Sequence, residues 1–201
     1  MRDSVAAVFP AFTETFEGHT TYLYLDVKGL VTTGRGNLVD PLSAALALPW
    51  QNPDGTPASR DRISAAWMTV KTAKAIEQRG GAAFASLTTI RLSAQAVDDL
   101  TTAKLRSNDE ILAARFAGWE GLPADAQLAV HSLAWACGPA FRFPRFEAAL
   151  ASRDWAECAV ECHLDETGNP GLAPRNAANE ALFLSAASGD PSLVNGWGPR
   201  V

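Results

Sequence analysis

The stretch FEGHTTYLYLDVKGLVTTGRGN, residues 16–37, contains the strand pair that decides the fold. Residues 22–26 alternate in hydrophobicity, residues 30–34 resume that alternation, and Val27-Lys28-Gly29 lies between them, so the pattern predicts a β-hairpin. A helical pattern precedes the hairpin and ends at Glu17. The predicted hairpin therefore has one carboxylate just before its first strand and a second, Asp26, where that strand ends.

Most of the remaining chain has helical periodicity and is rich in alanine. Apolar side chains at three- and four-residue steps predict a helix over residues 4–17, with Ser4 as its N-cap and Pro10 dividing it into two short pieces. The same periodicity predicts a long helix from a Ser93 cap to about Trp119. Shorter helices are predicted within residues 40–60 and over 61–79, 124–136, 145–151, 153–163 and 174–187. These patterns predict an α+β class that is predominantly α.

Composition excludes several classes of function. With 201 residues, of which 47% are hydrophobic, the chain can bury a sizeable core. The net charge is −5 and the 17 basic residues are not concentrated in one stretch, so we expect no nucleic-acid partner. No apolar run reaches the roughly 18 residues of a spanning helix, so we expect no membrane insertion. We expect a monomer.

The N-terminal sequence MRDSVAAVFPAF has an early acid, a brief apolar patch and no A-x-A-like cleavage site. These features predict that the chain has no secretory signal and is made in the cytoplasm. If it acts outside the cytoplasm, we expect another system to release or deliver it.

The three cysteines, Cys137, Cys158 and Cys162, do not have the spacing of a disulfide framework. We therefore predict reduced, buried thiols. Cys158, Cys162 and His163 also suggest a metal site, because the i,i+4 spacing places both thiols on one helical face. A zinc site would need a fourth ligand and usually a second pair. We favour core packing and predict no metal.

The two carboxylates of the hairpin differ in their expected environments. Glu17 ends a helix, where the macrodipole disfavours negative charge, so we expect the protonated side chain that a general acid needs. Asp26 lies beside a turn, where we expect a more solvated and ionised carboxylate. Glycoside hydrolysis uses such a pair, one to protonate the leaving oxygen and the other to activate water or stabilise the developing cation. Thr32 is placed across the hairpin to hold that water.

Eight residues separate Glu17 from Asp26, five separate Asp26 from Thr32, and Gly34-Arg35-Gly36 follows. This spacing resembles the catalytic hairpin of the phage-type lysozymes, the family of the T-even phage enzyme. Two later segments are similar to the family's helical C-terminal lobe and its closing segment: residues 132–160 and 169–186. The resemblance covers about half of the chain, at its two ends.

The resemblance implies a muramidase that cleaves the β-1,4 bond between N-acetylmuramic acid and N-acetylglucosamine with inversion. Glu17 would be the general acid, Asp26 the base or stabilising carboxylate, and Thr32 the residue that positions water. The implied partner is the peptidoglycan glycan strand, with no cofactor, and the implied site of action is the cell wall or periplasm. The implied fold is a single lysozyme-like domain over 1–201, with a first lobe at about 11–91, a linking helix at about 93–119 and a helical lobe at about 121–187.

Three further residues are predicted to bind substrate. Arg175 falls where the family places an arginine able to pair with the catalytic glutamate, although a surface arginine at a helix start is the alternative. Asn37 stands where the family often has a histidine, so any ion pair of that histidine is absent. Trp50 lies in a proline-flanked loop and could stack on a sugar ring, with a core position as the alternative. We interpret His19 as an exposed loop residue.

Other features depart from the family. Residues 40–91 do not fit its compact link between hairpin and helix, so we interpret them as an inserted or rebuilt segment. The acidic charge predicts weaker steering towards an anionic wall. Two alternatives stay open: a lytic transglycosylase, against which the Asp26–Thr32 pair argues, and a weakly active wall-binding module. The predicted lack of a signal suits a phage lysis enzyme, a virion-borne enzyme or an injected toxin.

Overall fold

The computed structural model describes residues 1–73 and 80–195. It is 58% helical with a small three-stranded antiparallel sheet, so the predicted class, α+β and predominantly α, is confirmed. The described helices are α1 (Asp3–Glu17), α2 (Leu42–Leu46), α3 (Arg60–Thr72), α4 (Ala94–Arg115), α5 (Ala124–Cys137), α6 (Pro144–Ser152), α7 (Trp155–Glu161) and α8 (Ala173–Ala186). Within the described ranges, no helix is long and apolar enough to cross a membrane.

The predicted helix positions agree closely with the observed ones. Ser93 caps α4 as predicted, since its Oγ accepts a hydrogen bond from the Ala96 N–H at 3.1 Å. Helix α4 ends at Arg115 rather than near Trp119, because Gly118 adopts a left-handed conformation with φ of 72° and a 3-10 turn follows. Helix α3 ends at Thr72, and residues 74–79 of the predicted 61–79 helix lie outside the described residues.

Helix α1 is continuous through Pro10, so the predicted division into two pieces is wrong. A proline removes one backbone hydrogen bond from the helix interior. Here the apolar side chains on both sides of it, Val5, Phe9 and Phe12, are fully buried in one core, which favours a single helix axis. Ser4 lies inside the helix and does not cap it, because its Oγ donates to the Ser192 carbonyl at 2.7 Å.

The sheet has the order β1 (Thr20–Leu25), β2 (Val31–Gly34) and β3 (Asn37–Leu38). In its antiparallel register, Tyr24 faces Thr32, and Thr32 faces Leu38 on its other side. Strand β1 has an irregularity between Thr20 and Tyr24 and begins before the predicted residue 22. The two-residue β3 was not predicted, because it is too short to show an alternating pattern.

The chain forms two compact units. Unit 1 combines Met1–Phe16 with Thr102–Val201, and unit 2 is Glu17–Thr101. The predicted first lobe began at about residue 11, whereas the residues of α1 up to Phe16 belong with the C-terminal helices. The predicted linking helix at about 93–119 corresponds to α4, which starts in unit 2 and contributes its residues from Thr102 onward to unit 1.

The core of unit 1 is built around α5, in which every residue from Ala124 to Trp135 is buried. Cys158 and Cys162 are fully buried in this core, as predicted, and burial raises the pKa of each thiol to about 12. Cys137 is exposed, so its predicted burial is wrong. His163 is exposed and its Nε2 lies 3.1 Å from Glu180 Oε2.

The core of unit 2 receives much of its apolar surface from the segment at 40–91. Trp50, Trp67 and Phe84 from this segment pack with Leu23 and Val31 of the hairpin in one cluster of buried side chains. Burial of aromatic side chains is a large stabilising contribution. The segment is therefore an integral part of the core on which the hairpin packs.

A buried polar cluster in unit 1 surrounds Asp109 of α4. Its Oδ1 accepts from Trp119 Nε1 at 2.7 Å and lies 3.3 Å from His131 Nε2, while its Oδ2 accepts from the Met1 amine at 2.9 Å. Burial acts to raise the pKa of Asp109, but these partners outweigh it and hold the pKa at about 2. Burial lowers the pKa of His131, which favours its neutral form.

Replacing Asp109 with Asn is expected to lower the free energy of unfolding at neutral pH by about 2 kcal/mol. The pKa of about 2 in the folded state lies below the ordinary 3.8, so the stabilisation is present above pH 3.8 and is lost as the pH falls towards 2. Urea unfolding of wild type and variant should therefore give a stability difference that shrinks in acid. Glu110→Gln, an exposed neighbour on α4, is the control. A difference independent of pH would contradict the ionised role of Asp109.

Candidate active site

Glu17 is the last residue of α1, as predicted. The helix ends there because Gly18 adopts φ of 68°, a left-handed conformation that favours glycine. The Glu17 side chain is half-buried, and β1 begins three residues later at Thr20. His19, between the two elements, is exposed as predicted. The chain therefore passes directly from the proposed acid into the sheet.

Asp26 follows β1 and closes the hairpin turn with its carboxylate. Its Oδ1 accepts hydrogen bonds from the N–H groups of Lys28 and Leu30, both at 2.9 Å. Its own N–H donates to the Leu30 carbonyl at 3.0 Å, and its carbonyl accepts from the Gly29 N–H at 2.9 Å. These bonds fix the orientation of the side chain and leave Oδ2 available to accept a hydrogen bond from water or substrate.

Thr32 lies in β2 and is 3% exposed. Its hydroxyl donates to the Leu30 carbonyl at 3.2 Å, and Leu30 is also the residue that binds the Asp26 carboxylate. Because the hydroxyl hydrogen is used in this bond, Oγ1 can only accept further hydrogen bonds. A water held by Thr32 would therefore donate a hydrogen bond to Oγ1.

Tyr24 lies within the electrostatic influence of both predicted catalytic carboxylates. Its pKa is raised well above the ordinary value, first by burial and then by the negative charges of Glu17 and Asp26, so both carboxylates lie near the same phenol. Tyr24 also faces Thr32 directly across the sheet, which puts their side chains on the same face. Gly81 lies against the ring, since a Cβ there would be 3.3 Å from the ring edge. Sequence reasoning placed Tyr24 in the strand but gave it no role.

Asn37 is the first residue of β3 and closes the turn that follows β2. Its side-chain oxygen accepts from the Arg35 N–H at 3.1 Å, and a Cβ at Gly34 would lie 2.7 Å from that oxygen. Gly34 has φ of 64°, so this turn requires glycine for both its conformation and its close contact. Asn37 is 7% exposed. Asn37 therefore shapes the turn, and its contact with substrate stays a prediction.

Arg35, in the same turn, forms an ion pair that the sequence did not predict. The side chain is 5% exposed, and Nη1 donates to Asp98 Oδ1 at 2.8 Å and to Thr101 Oγ1 at 3.1 Å. The turn after β2 is thereby tied to α4. The two partners are 63 and 66 residues away in sequence, so no local pattern could have revealed the pair.

Trp50 is 1% exposed and cannot stack on a sugar ring, so its predicted role as a platform is wrong. Its indole N–H donates to the Ala45 carbonyl at 2.9 Å, which satisfies the polar atom within the core of unit 2. The proline-flanked loop after it is held by the Ala58 N–H, which donates to the Trp50 carbonyl. Trp67, Trp119 and Trp135 are also buried, whereas Trp197 lies outside the described residues.

Arg175 lies in the first turn of α8 and is 3% exposed, so the alternative of a surface arginine is wrong. Its guanidinium donates to the Ser132 carbonyl at 3.2 Å and lies 4.7 Å from the centre of the Phe16 ring. Its pairing with Glu17 concerns residues of different units and stays a prediction, as does its contact with substrate.

No known protein family matches the chain, and no curated protein matches it. The assignment of a function therefore depends on the spacing of the motif and on the cluster around Tyr24. Among residues 1–73 and 80–195, no three His, Cys, Asp or Glu side chains are grouped as metal ligands. The chemistry available to the cluster is that of two carboxyl groups, a hydroxyl and a phenol.

Proposed function

We propose that the protein is a peptidoglycan hydrolase of the muramidase type, which cleaves the β-1,4 bond between N-acetylmuramic acid and N-acetylglucosamine. The observation that carries the proposal is the arrangement of the hairpin: the negative charges of Glu17 and Asp26 both raise the pKa of Tyr24, and Thr32 faces Tyr24 across the sheet. The spacing of these residues resembles the catalytic hairpin of phage-type lysozymes. Two carboxyl groups in different environments are what glycoside hydrolysis requires.

In this proposal, Glu17 donates its proton to the glycosidic oxygen as the bond to the anomeric carbon breaks. Asp26 takes a proton from a water molecule through Oδ2, the oxygen that the turn leaves available. Thr32 Oγ1 accepts a hydrogen bond from the second O–H of that water. The water attacks the anomeric carbon from the face opposite the leaving group, so the product has the inverted configuration.

The two carboxyl groups are positioned by different elements, which suits their different tasks. Glu17 is carried by the end of a helix that is anchored by its buried apolar face. Asp26 is carried by a turn whose backbone N–H groups donate hydrogen bonds to its carboxylate and fix its orientation. This scheme uses acid, base and water alone and requires no cofactor.

The test is digestion of purified peptidoglycan by the wild-type protein. We expect release of reducing ends, and proton NMR of the fresh products should show the α-anomer first, because a β-bond hydrolysed with inversion gives that anomer. The β-anomer would instead indicate retention. Mass spectrometry separates the remaining outcomes: anhydro-muramyl products would identify a lytic transglycosylase. A protein that sediments with the wall but releases nothing would be a binding module.

A further inference from the structure

Lys71 of α3 connects the segment at 40–91 to the hairpin turn. Its Nζ donates to the Gly29 carbonyl at 3.1 Å and to Asp40 Oδ2 at 2.5 Å. The same Asp40 oxygen accepts from the Val31 N–H at 3.2 Å. The Lys71–Asp40 pair therefore binds the backbone on both sides of Leu30.

The two peptide groups that Lys71 and Asp40 hold are the same ones that orient Asp26 and Thr32. The carbonyl of Gly29 and the N–H of Leu30 belong to one peptide group, and that N–H donates to Asp26 Oδ1. The carbonyl of Leu30 and the N–H of Val31 belong to the next one, and that carbonyl accepts from Thr32 Oγ1 and from the Asp26 N–H. Since a peptide group is planar, fixing one end of it fixes the other.

We propose that Lys71 and Asp40 are positioning residues for the hydrolytic water and act through the two peptide groups on either side of Leu30. This inference rests on the proposed function. The ammonium of Lys71 also polarises the Gly29–Leu30 peptide group, which strengthens the hydrogen bond from Leu30 N–H to Asp26. The segment at 40–91 thus supplies part of the catalytic apparatus as well as core.

The surroundings of Lys71 hold it in this position. Trp67, one helical turn earlier on α3, lies with its ring centre 5.8 Å from Lys71 Nζ and donates its indole N–H to the Val39 carbonyl at 2.9 Å. The hydrogen bond from Lys71 and the Val31 N–H also lower the pKa of Asp40, which keeps that carboxylate ionised. Both members of the pair are only partly exposed, at 31% and 16% of their side chains.

The experiment compares Lys71→Met with Arg62→Met, which removes one positive charge from the same helix but touches Thr89 rather than the hairpin. We expect Lys71→Met to lower kcat on peptidoglycan by about 10- to 100-fold with KM within about twofold, because the water is misplaced while the sugar still binds. Asp40→Asn, which keeps the shape of the side chain, should act in the same direction more weakly. Arg62→Met should leave both constants unchanged.

Two readouts separate positioning from general destabilisation. In an Asp26→Asn background, Lys71→Met should have less than about a twofold further effect on the residual rate, since residues acting as a unit are not additive. The proposal would be overturned if Lys71→Met lowered the rate by the same factor in the wild type and in Asp26→Asn. A Lys71→Met enzyme as active as Arg62→Met would overturn it as well.

Amide hydrogen exchange provides a test that does not depend on activity. The Leu30 amide should exchange at least about tenfold faster in Lys71→Met than in Arg62→Met, because its bond to Asp26 is weakened. If the wild type releases no reducing ends, the proposed function fails, and this measurement alone decides whether Lys71 orders the turn. Unchanged exchange at Leu30 would overturn the inference in either case.

Discussion

Replacing Glu17 with Gln is expected to lower the rate of reducing-end release from peptidoglycan by about 10²- to 10⁴-fold, the contribution of a general acid. The amide has nearly the shape of the carboxylic acid but cannot donate a proton to the glycosidic oxygen. The sugar contacts are kept, so KM should change little and the loss should lie in kcat. Initial rates on purified peptidoglycan at several substrate concentrations measure both quantities.

The control for this variant is Glu110→Gln, the same substitution at an exposed residue of α4. It should have wild-type rates, and both variants should have circular dichroism spectra and melting temperatures close to those of the wild type. A Glu17→Gln protein that is folded and as active as Glu110→Gln would show that the acid is another residue. A loss confined to KM would assign Glu17 to substrate binding instead.

Asp26 and Thr32 could be recognised from sequence, whereas Tyr24 could not. Asp26 and Thr32 were found from sequence because the hairpin gives a local signal: alternating strands, a turn ending in glycine and fixed spacing to Glu17. Tyr24 carries no such signal, since an aromatic residue in a strand is ordinary. Its importance comes from the charges of Glu17 and Asp26 around it, which appear when the hairpin is assembled.

The fold shows the same division between local and long-range information. The positions of α4 and α5 were predicted well, because both are long and their apolar spacing is regular. The continuity of α1 through Pro10 was missed, since local rules favour a break and the buried face of the helix overrides them. The Lys71–Asp40 pair joins residues 31 apart, so its place beside the hairpin could not be read from either segment alone.

The segment at 40–91 is where sequence reasoning was least informative. Its loop signals are strong, and they suggested a sugar-stacking role for Trp50, with a core position as the alternative. Such signals describe the backbone and do not determine which side chains lie inward. Trp50 stands immediately before the loop QNPDGTPAS and is 1% exposed, so the aromatic side chain belongs to the core although the residues that follow it in sequence are polar.

Replacing Trp50 with Ala is expected to lower the free energy of unfolding by about 3–5 kcal/mol, the usual cost of removing a large buried aromatic side chain. The side chain is 1% exposed, so its removal leaves a cavity in the core of unit 2 and also deprives the Ala45 carbonyl of its indole donor. Trp50→Phe should cost less, since it keeps most of the apolar volume and loses the hydrogen bond. Urea unfolding followed by circular dichroism measures both.

Met68→Ala is the control for an apolar truncation in the same unit, because Met68 on α3 is 51% exposed and should change stability by less than about 0.5 kcal/mol. At a temperature where Trp50→Phe is fully folded, its KM for peptidoglycan should equal that of the wild type, since the indole does not reach substrate. A Trp50→Ala protein of wild-type stability with weakened binding to the glycan would contradict the core position and restore the sugar-stacking role.

The loss of stability in Trp50→Ala also concerns the hairpin. Trp50 packs in the same cluster as Leu23 and Val31, so a cavity there loosens the core that supports Asp26 and Thr32.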